Sequence, residues 1–176
     1  KALAALEGAY NLGMLTEASE LQRLANYLAF AGIPHRAARV MEKAMKEGTI
    51  ESNAANYKTL ANYWHQAKEL DPAIDTLAKS YKLAPNAELQ LKMARMMIQS
   101  KRYQDLVAFA AKPAANASGE QRADLKFLTG VAYFEQQKPK EALSAFTQAA
   151  QNGNVSGRAS PWISFLKEQQ GGAVTQ

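Results

Sequence analysis

Cysteine is absent from all 176 residues, which excludes disulfides and thiolate metal sites. Only two histidines occur. His35 follows a proline in a turn and His65 lies beside Trp64, and neither has a second histidine or a carboxylate at metal-ligand spacing. No hydrophobic run approaches the roughly 18 residues that a membrane-spanning helix requires. No run of five lysines and arginines occurs, so the net charge of +5 reads as a mildly basic surface rather than a nucleic-acid footprint. A phosphate-cradling loop is missing too, since "QNGNVSG" has neither lysine nor a strand before it. No nucleophile motif frames either histidine. The chain is therefore expected to be no enzyme, with no catalytic residue, no metal and no cofactor. The triplet Asn116-Ala-Ser118 fits a glycosylation acceptor by letter alone.

What is present is repetition on a background of ordinary globular composition, 47% hydrophobic. "LANY" is spelled at 24–27 and again at 60–63. Tyr57, Leu60, Ala61 and Trp64 follow i, i+3, i+4, i+7, one stripe of a helix. Leu70, Ala73 and Leu77 form a second stripe that Pro85 ends. The turn "AKELDP" between them permits only an antiparallel return, with Asp71 as cap and Pro72 at the first helical position. Ala61 and Ala73 are small where two helices must approach. The unit is a helical hairpin.

The register recurs. Leu21, Leu24, Ala25 and Leu28 lead to Pro34, Ala37, Met41 and Ala44. Met93, Ala94 and Met97 lead to Tyr103 and Leu106, and Gly130 and Tyr133 lead to Ala142, Phe146 and Ala149. The small residues Ala25, Ala61, Ala94 and Gly130 are 36, 33 and 36 residues apart. Such a period marks a solenoid in which each hairpin buries its face on the next. The methionines Met93, Met96 and Met97 read as core filling.

The pattern resembles tetratricopeptide repeats, carried by Tyr57, Leu60, Ala61, Trp64, Leu70, Ala73, Leu77 and Pro85. It implies an all-α, α-α superhelix. The expected parts are a second helix of a repeat at 1–15, hairpins at 18–49, 53–85, 86–117 and 119–153, a capping helix at 159–170 and a tail at 171–176. Thr49 stands where the closing proline is usual. The third copy departs most, with Leu106 in a small-residue place and no alanine in the matching position near Pro113, so its second helix is expected to be distorted. Ala2, Leu6 and Ala9 match a second helix without its first, as if the chain began inside a repeat of a longer protein. In "ASPWISFLKEQQ" Ser160 is the expected cap, Pro161 the first turn, and Trp162, Ile163, Phe165 and Leu166 the covering face.

In this repeat family the stripe beside the packing seam faces a concave groove. Here it reads Gln22, Asn26, Phe30; then Lys58, Asn62, Gln66; then Leu91, Arg95, Gln99; then Phe127, Val131, Glu135, with Phe134 alongside. The candidate partner-binding residues are Gln22, Asn26, Phe30, Lys58, Asn62, Gln66, Arg95, Gln99 and Phe134. Asn26 and Asn62, about 10 Å apart by ordinary helix spacing, suit an extended peptide backbone, with Lys58 or Arg95 taking a carboxylate. Lys58 and Asn62 resemble half of the family's clamp for a terminal carboxylate, but Glu88, Lys92, Asp124 and Leu128 leave the set incomplete. Solvation alone also explains such polar residues. Phe134 is expected to anchor a partner and Phe127 to pack.

The expected function is a non-catalytic scaffold that binds a protein or peptide partner. An RNA-binding helical repeat is the rival, with a thin electrostatic case, and a purely structural oligomerisation domain is another. Nucleic acid is not expected as a partner. The wording of residues 60–107 is similar to the tetratricopeptide protein family encoded with TonB energy-transduction systems of marine gammaproteobacteria. That resemblance implies a bacterial, periplasmic or envelope-associated protein that associates with TonB, ExbB and ExbD in iron–siderophore uptake, the alternative compartment being the cytoplasm. Any membrane contact would run through a part outside this chain.

Overall fold

The computed structural model describes residues 2–172, and among them finds ten α-helices and no strand. Of the expected tail, residues 173–176 lie outside the described residues, while Gly171 and Gly172 close the last helix. The chain divides into two compact units, Lys1–Ala84 and Pro85–Gln176.

The first unit holds α1 (Ala2–Asn11), α2 (Ala18–Phe30), α3 (Pro34–Lys46), α4 (Ala54–Gln66) and α5 (Leu70–Leu83). α2 packs on α3 and α4 on α5, α3 also meets α4, and α1 meets α2. The caps are local chemistry. Glu20 reaches back to the Glu17 backbone N–H at 3.2 Å, and Asn53 Oδ1 accepts from the Asn56 N–H at 2.9 Å. α5 begins at Leu70, with Glu69 and not Asp71 as its N-cap. Pro72 therefore falls inside the first turn, where no intrahelical N–H is needed.

The seams follow the repeat. Ala25, Ala37, Ala61 and Ala73 are buried where the helices meet, and Leu24, Leu28, Met41, Ile74 and Leu77 fill the remaining space. Each of these large side chains contributes about 1.5–3 kcal/mol by leaving water. Ser80 takes the place of Ala44 in the second copy and stays satisfied by donating to the Ala54 carbonyl at 2.8 Å.

The second unit holds α6 (Ala87–Gln99), α7 (Tyr103–Ala110), α8 (Gly119–Glu135), α9 (Pro139–Ala149) and α10 (Gly153–Gly172). The expected distortion of the third copy is there: α7 spans 8 residues. Pro113 stands where Ala44, Ser80 and Ala149 are still helical. A proline there clashes with the preceding turn and disfavours helix at Lys112, so α7 ends before it. The stretch 111–118 that follows is held by Gln90, which is buried. Its Nε2 donates to the Lys112 carbonyl at 2.9 Å and more loosely to Phe109, and its Oε1 accepts from the Ala114 N–H at 2.8 Å. Asn116 Oδ1 accepts from the Ala87 N–H at 3.2 Å, so the glycosylation-like triplet is part of this fastening.

α8, α9 and α10 close around Phe146, which is fully buried. Its ring stacks on Trp162 at 5.2 Å between centroids and tilts against Phe127 at 5.5 Å. Gly130 is required here, because a Cβ at that position would lie 2.7 Å from the Phe146 ring. α10 starts at Gly153, seven residues before the expected cap Ser160, whose hydroxyl instead donates to the Ser156 carbonyl within the helix. Pro161 is thus an interior residue. Val155, Ala159 and Leu166, buried on both sides of it, hold the helix together across the lost hydrogen bond.

Each hairpin turns in one way. Gly32, Lys68, Lys101 and Gln137 have φ of 78°, 64°, 58° and 58°. The residue after each donates back to the helix: Ile33 to Leu28, Glu69 to Trp64, Arg102 to Met97 and Lys138 to Tyr133. These are left-handed helix C-caps, and three of the four do without glycine.

Candidate functional site

In the first unit, α2 and α4 present the expected stripe. Gln22 Nε2 donates to Asn56 Oδ1 at 3.4 Å, and Asn26 Oδ1 accepts from the Tyr63 hydroxyl at 2.6 Å. Burial pushes the Tyr63 hydroxyl above its ordinary pKa, which keeps it a neutral donor. Packing therefore does require an asparagine in the first "LANY": it satisfies the buried tyrosine of the second. Asn26, a candidate partner-binding residue by its sequence position, thus has its Oδ1 engaged within the fold. Tyr63 packs, whereas its counterpart Tyr27 is 42% exposed. Lys58 and Gln66 are exposed, and Asn62 is half-buried with an interaction of its own.

Phe30 is the outlier of this face. At 93% exposure it is almost entirely in water at the end of α2, with Tyr27 one turn earlier and Ile33 just past the turn, both partly exposed. A phenylalanine left in water forgoes the roughly 1.5–3 kcal/mol that its burial would contribute.

In the second unit the stripe is largely committed internally. Leu91 is core. Arg95 approaches Asp124 at 3.8 Å, and Asp124 also pairs with Arg158. The Arg158 guanidinium lies 5.1 Å from the centre of the Phe127 ring. Gln99 is exposed, and Glu135 accepts from the Tyr103 hydroxyl at 3.3 Å. Phe134 is half-buried, edge-on to Trp162 at 5.0 Å and to Phe165 at 6.1 Å. Its ring fastens α10, so it is a packing residue, not the free anchor expected. It also borders a pocket of about 440 Å³ with Glu135, Gln137, Pro139 and Gln169. Phe127 packs on Phe146, as its expected role requires.

A larger groove, about 830 Å³, lies on the other side of the first unit, among α1, α3, α4 and α5. Arg36, Arg39, Lys43, Lys46 and Lys79 line it, with Glu42. Lys43 Nζ stands 5.7 Å over the Tyr10 ring and Lys79 Nζ 5.7 Å over the Tyr57 ring. Sequence reasoning missed this surface. Its signal was legible: Arg36, Arg39, Lys43 and Lys46 run i, i+3, i+7, i+10, one face of a helix.

Among the described residues no group of three or more histidines, aspartates or glutamates could hold a metal ion, and no helix is long and apolar enough to cross a membrane. No protein-family model matches the chain, and no curated protein matches it. Solved structures do. A crystal structure of MamA superposes with a TM-score of 0.58 at 16% identity, covering 89% of this chain and 90% of that one. The AMB-1 form of MamA gives 0.61 at 21%, covering 86% and 81%. PilF of Pseudomonas aeruginosa gives 0.60 at 15%, covering 99% and 73%. These are tetratricopeptide-like helical-repeat proteins. At such identities the likeness is one of fold: this chain has the all-α architecture of tetratricopeptide-like solenoids that its repeat spacing led us to expect.

Proposed function

We propose that the chain is a non-catalytic scaffold that docks a segment of a protein partner on the first-helix face of α2 and α4. The observation that carries this reading is Phe30, a large aromatic side chain held in water beside Tyr27 and Ile33. Gln66 and Lys58 flank it with exposed polar groups. Gln22 and Asn26 are already bonded to α4, which makes them a rigid border rather than free hooks. Arg95, tied to Asp124, and Phe134, tied to α10, contribute less than expected. The hairpins are organised before binding, so the partner meets little ordering cost.

The test is affinity capture from an envelope extract, read by mass spectrometry, with wild type beside Phe30→Ala and the double variant Lys58→Ala, Asn62→Ala. The expected outcome is loss of the same retained partner in both, with helicity unchanged. Equal retention by all three proteins removes the face from consideration. The resemblance to the TonB-linked family supplies the finer reading of an envelope accessory in iron uptake. Purified TonB, ExbB and ExbD soluble regions applied to the immobilised chain test it directly, and absence of retention ends it.

A further inference from the structure

We propose that the groove among α1, α3, α4 and α5 is a second docking surface, one that takes an acidic segment of a protein partner. It lies apart from the α2–α4 face and does not depend on that reading. Charge complementarity selects the occupant. Five cations line the groove, and three are met by carboxylates: Arg36 by Glu7 at 2.5 Å, Arg39 by Glu42 at 2.9 Å and Lys43 by Glu47 at 3.9 Å. Lys46 and Lys79 have no carboxylate partner among the described residues, so the surface carries a surplus of two positive charges.

The cations are also positioned. Lys43 and Lys79 rest over tyrosine rings, which holds each ammonium in place while leaving its remaining N–H donors for a ligand. Beneath them Val40 and Leu60 are buried and apolar. A volume of about 830 Å³ accommodates several side chains of an extended segment. The same features disfavour a polynucleotide. Glu42 lines the groove and Glu7 and Glu47 pair with its cations, so an unbroken phosphate chain meets like charge there, whereas a peptide can space its acids to meet Lys46 and Lys79.

The test is fluorescence anisotropy with a fluorescein-labelled peptide of repeating Asp-Glu-Phe triplets. The same peptide with lysine at each acidic position and an oligouridine RNA are the comparison probes. The acidic peptide is expected to bind, to weaken as salt is added, and to lose affinity about tenfold with Lys46→Glu plus Lys79→Glu. The milder pair Lys46→Gln, Lys79→Gln is expected to fall between, with circular dichroism showing both proteins folded. Lys140→Glu plus Lys167→Glu makes the same change in net charge elsewhere and is expected to leave binding alone. Equal loss from that control pair overturns the proposal, as does unchanged binding by the groove variants or preferential binding of the RNA. Loss confined to Lys58→Glu seats the peptide on the α2–α4 face and overturns the proposal as well.

Discussion

Replacing Gly130 by alanine sets two known effects against each other at one atom. In the interior of an exposed helix the change is favourable by about 1 kcal/mol, because alanine loses less backbone freedom. At Gly130 the new Cβ falls 2.7 Å from two carbons of the Phe146 ring and 3.0 Å from a third. Carbon atoms settle at about 3.5–4 Å, so the ring would have to retreat by nearly 1 Å. It has nowhere to go, being fully buried between Phe127 and the stacked Trp162. Overpacking of this kind costs about 1–3 kcal/mol, which outweighs the helix gain, so the variant is expected to be net destabilised by up to about 2 kcal/mol. Gly8→Ala is the control. It lies within α1 with nothing inside 4 Å of the added carbon, and it is expected to stabilise by about 0.5–1 kcal/mol. Urea unfolding followed by far-UV circular dichroism reads both, as shifts in midpoint. Phe146→Leu completes a double-mutant cycle: with the ring trimmed, Gly130→Ala should cost at least 1 kcal/mol less. A Gly130→Ala protein more stable than wild type, with no coupling to Phe146, would refute the account of this seam.

Gln90→Leu keeps the bulk but strips the stretch 111–118 of its backbone partners, so a loss of about 2–4 kcal/mol is expected, with amide exchange of that stretch rising first. Unchanged exchange there would show that Gln90 does not hold it. Lys68→Gly should stabilise by about 0.5–1 kcal/mol, since a left-handed residue with a side chain is strained at the turn; a loss in melting temperature contradicts this. Tyr63→Phe deletes the hydrogen bond to Asn26 and is expected to cost about 1 kcal/mol at neutral pH. The Tyr63 pKa is raised in the folded state above the ordinary 10.0, so its contribution is fully present below that pH and fades as pH climbs past it. Wild type should therefore lose more stability than Tyr63→Phe between neutral and strongly alkaline pH, and parallel curves would contradict the assignment.

The period of 36, 33 and 36 residues was enough to make the all-α helical-repeat fold legible, because the residues that repeat are those that contact their nearest neighbours in sequence. Leu24, Ala25, Ala61, Ala73 and Leu77 could be read as core from spacing alone, and they are. The break in the third copy was visible in Leu106 and Pro113. Its repair by Gln90 was not, since a polar residue in a helix register does not reveal which backbone groups of another segment it will meet. The start of α10 was misread because a serine followed by proline is a strong local cap signal, and packing on Phe146 overrode it.

The surfaces obeyed different physics. Whether an amide is free or spent depends on which side chain from another helix reaches it, and sequence spacing carries no such partner information. Asn26 is spent on Tyr63, 37 residues away, and Arg95 is drawn to Asp124, 29 residues away. Periodic burial, a property of one helix face at a time, was decided by the order of the residues. Only the tertiary structure decided which polar groups remain for a partner, because pairing is a property of two faces brought together.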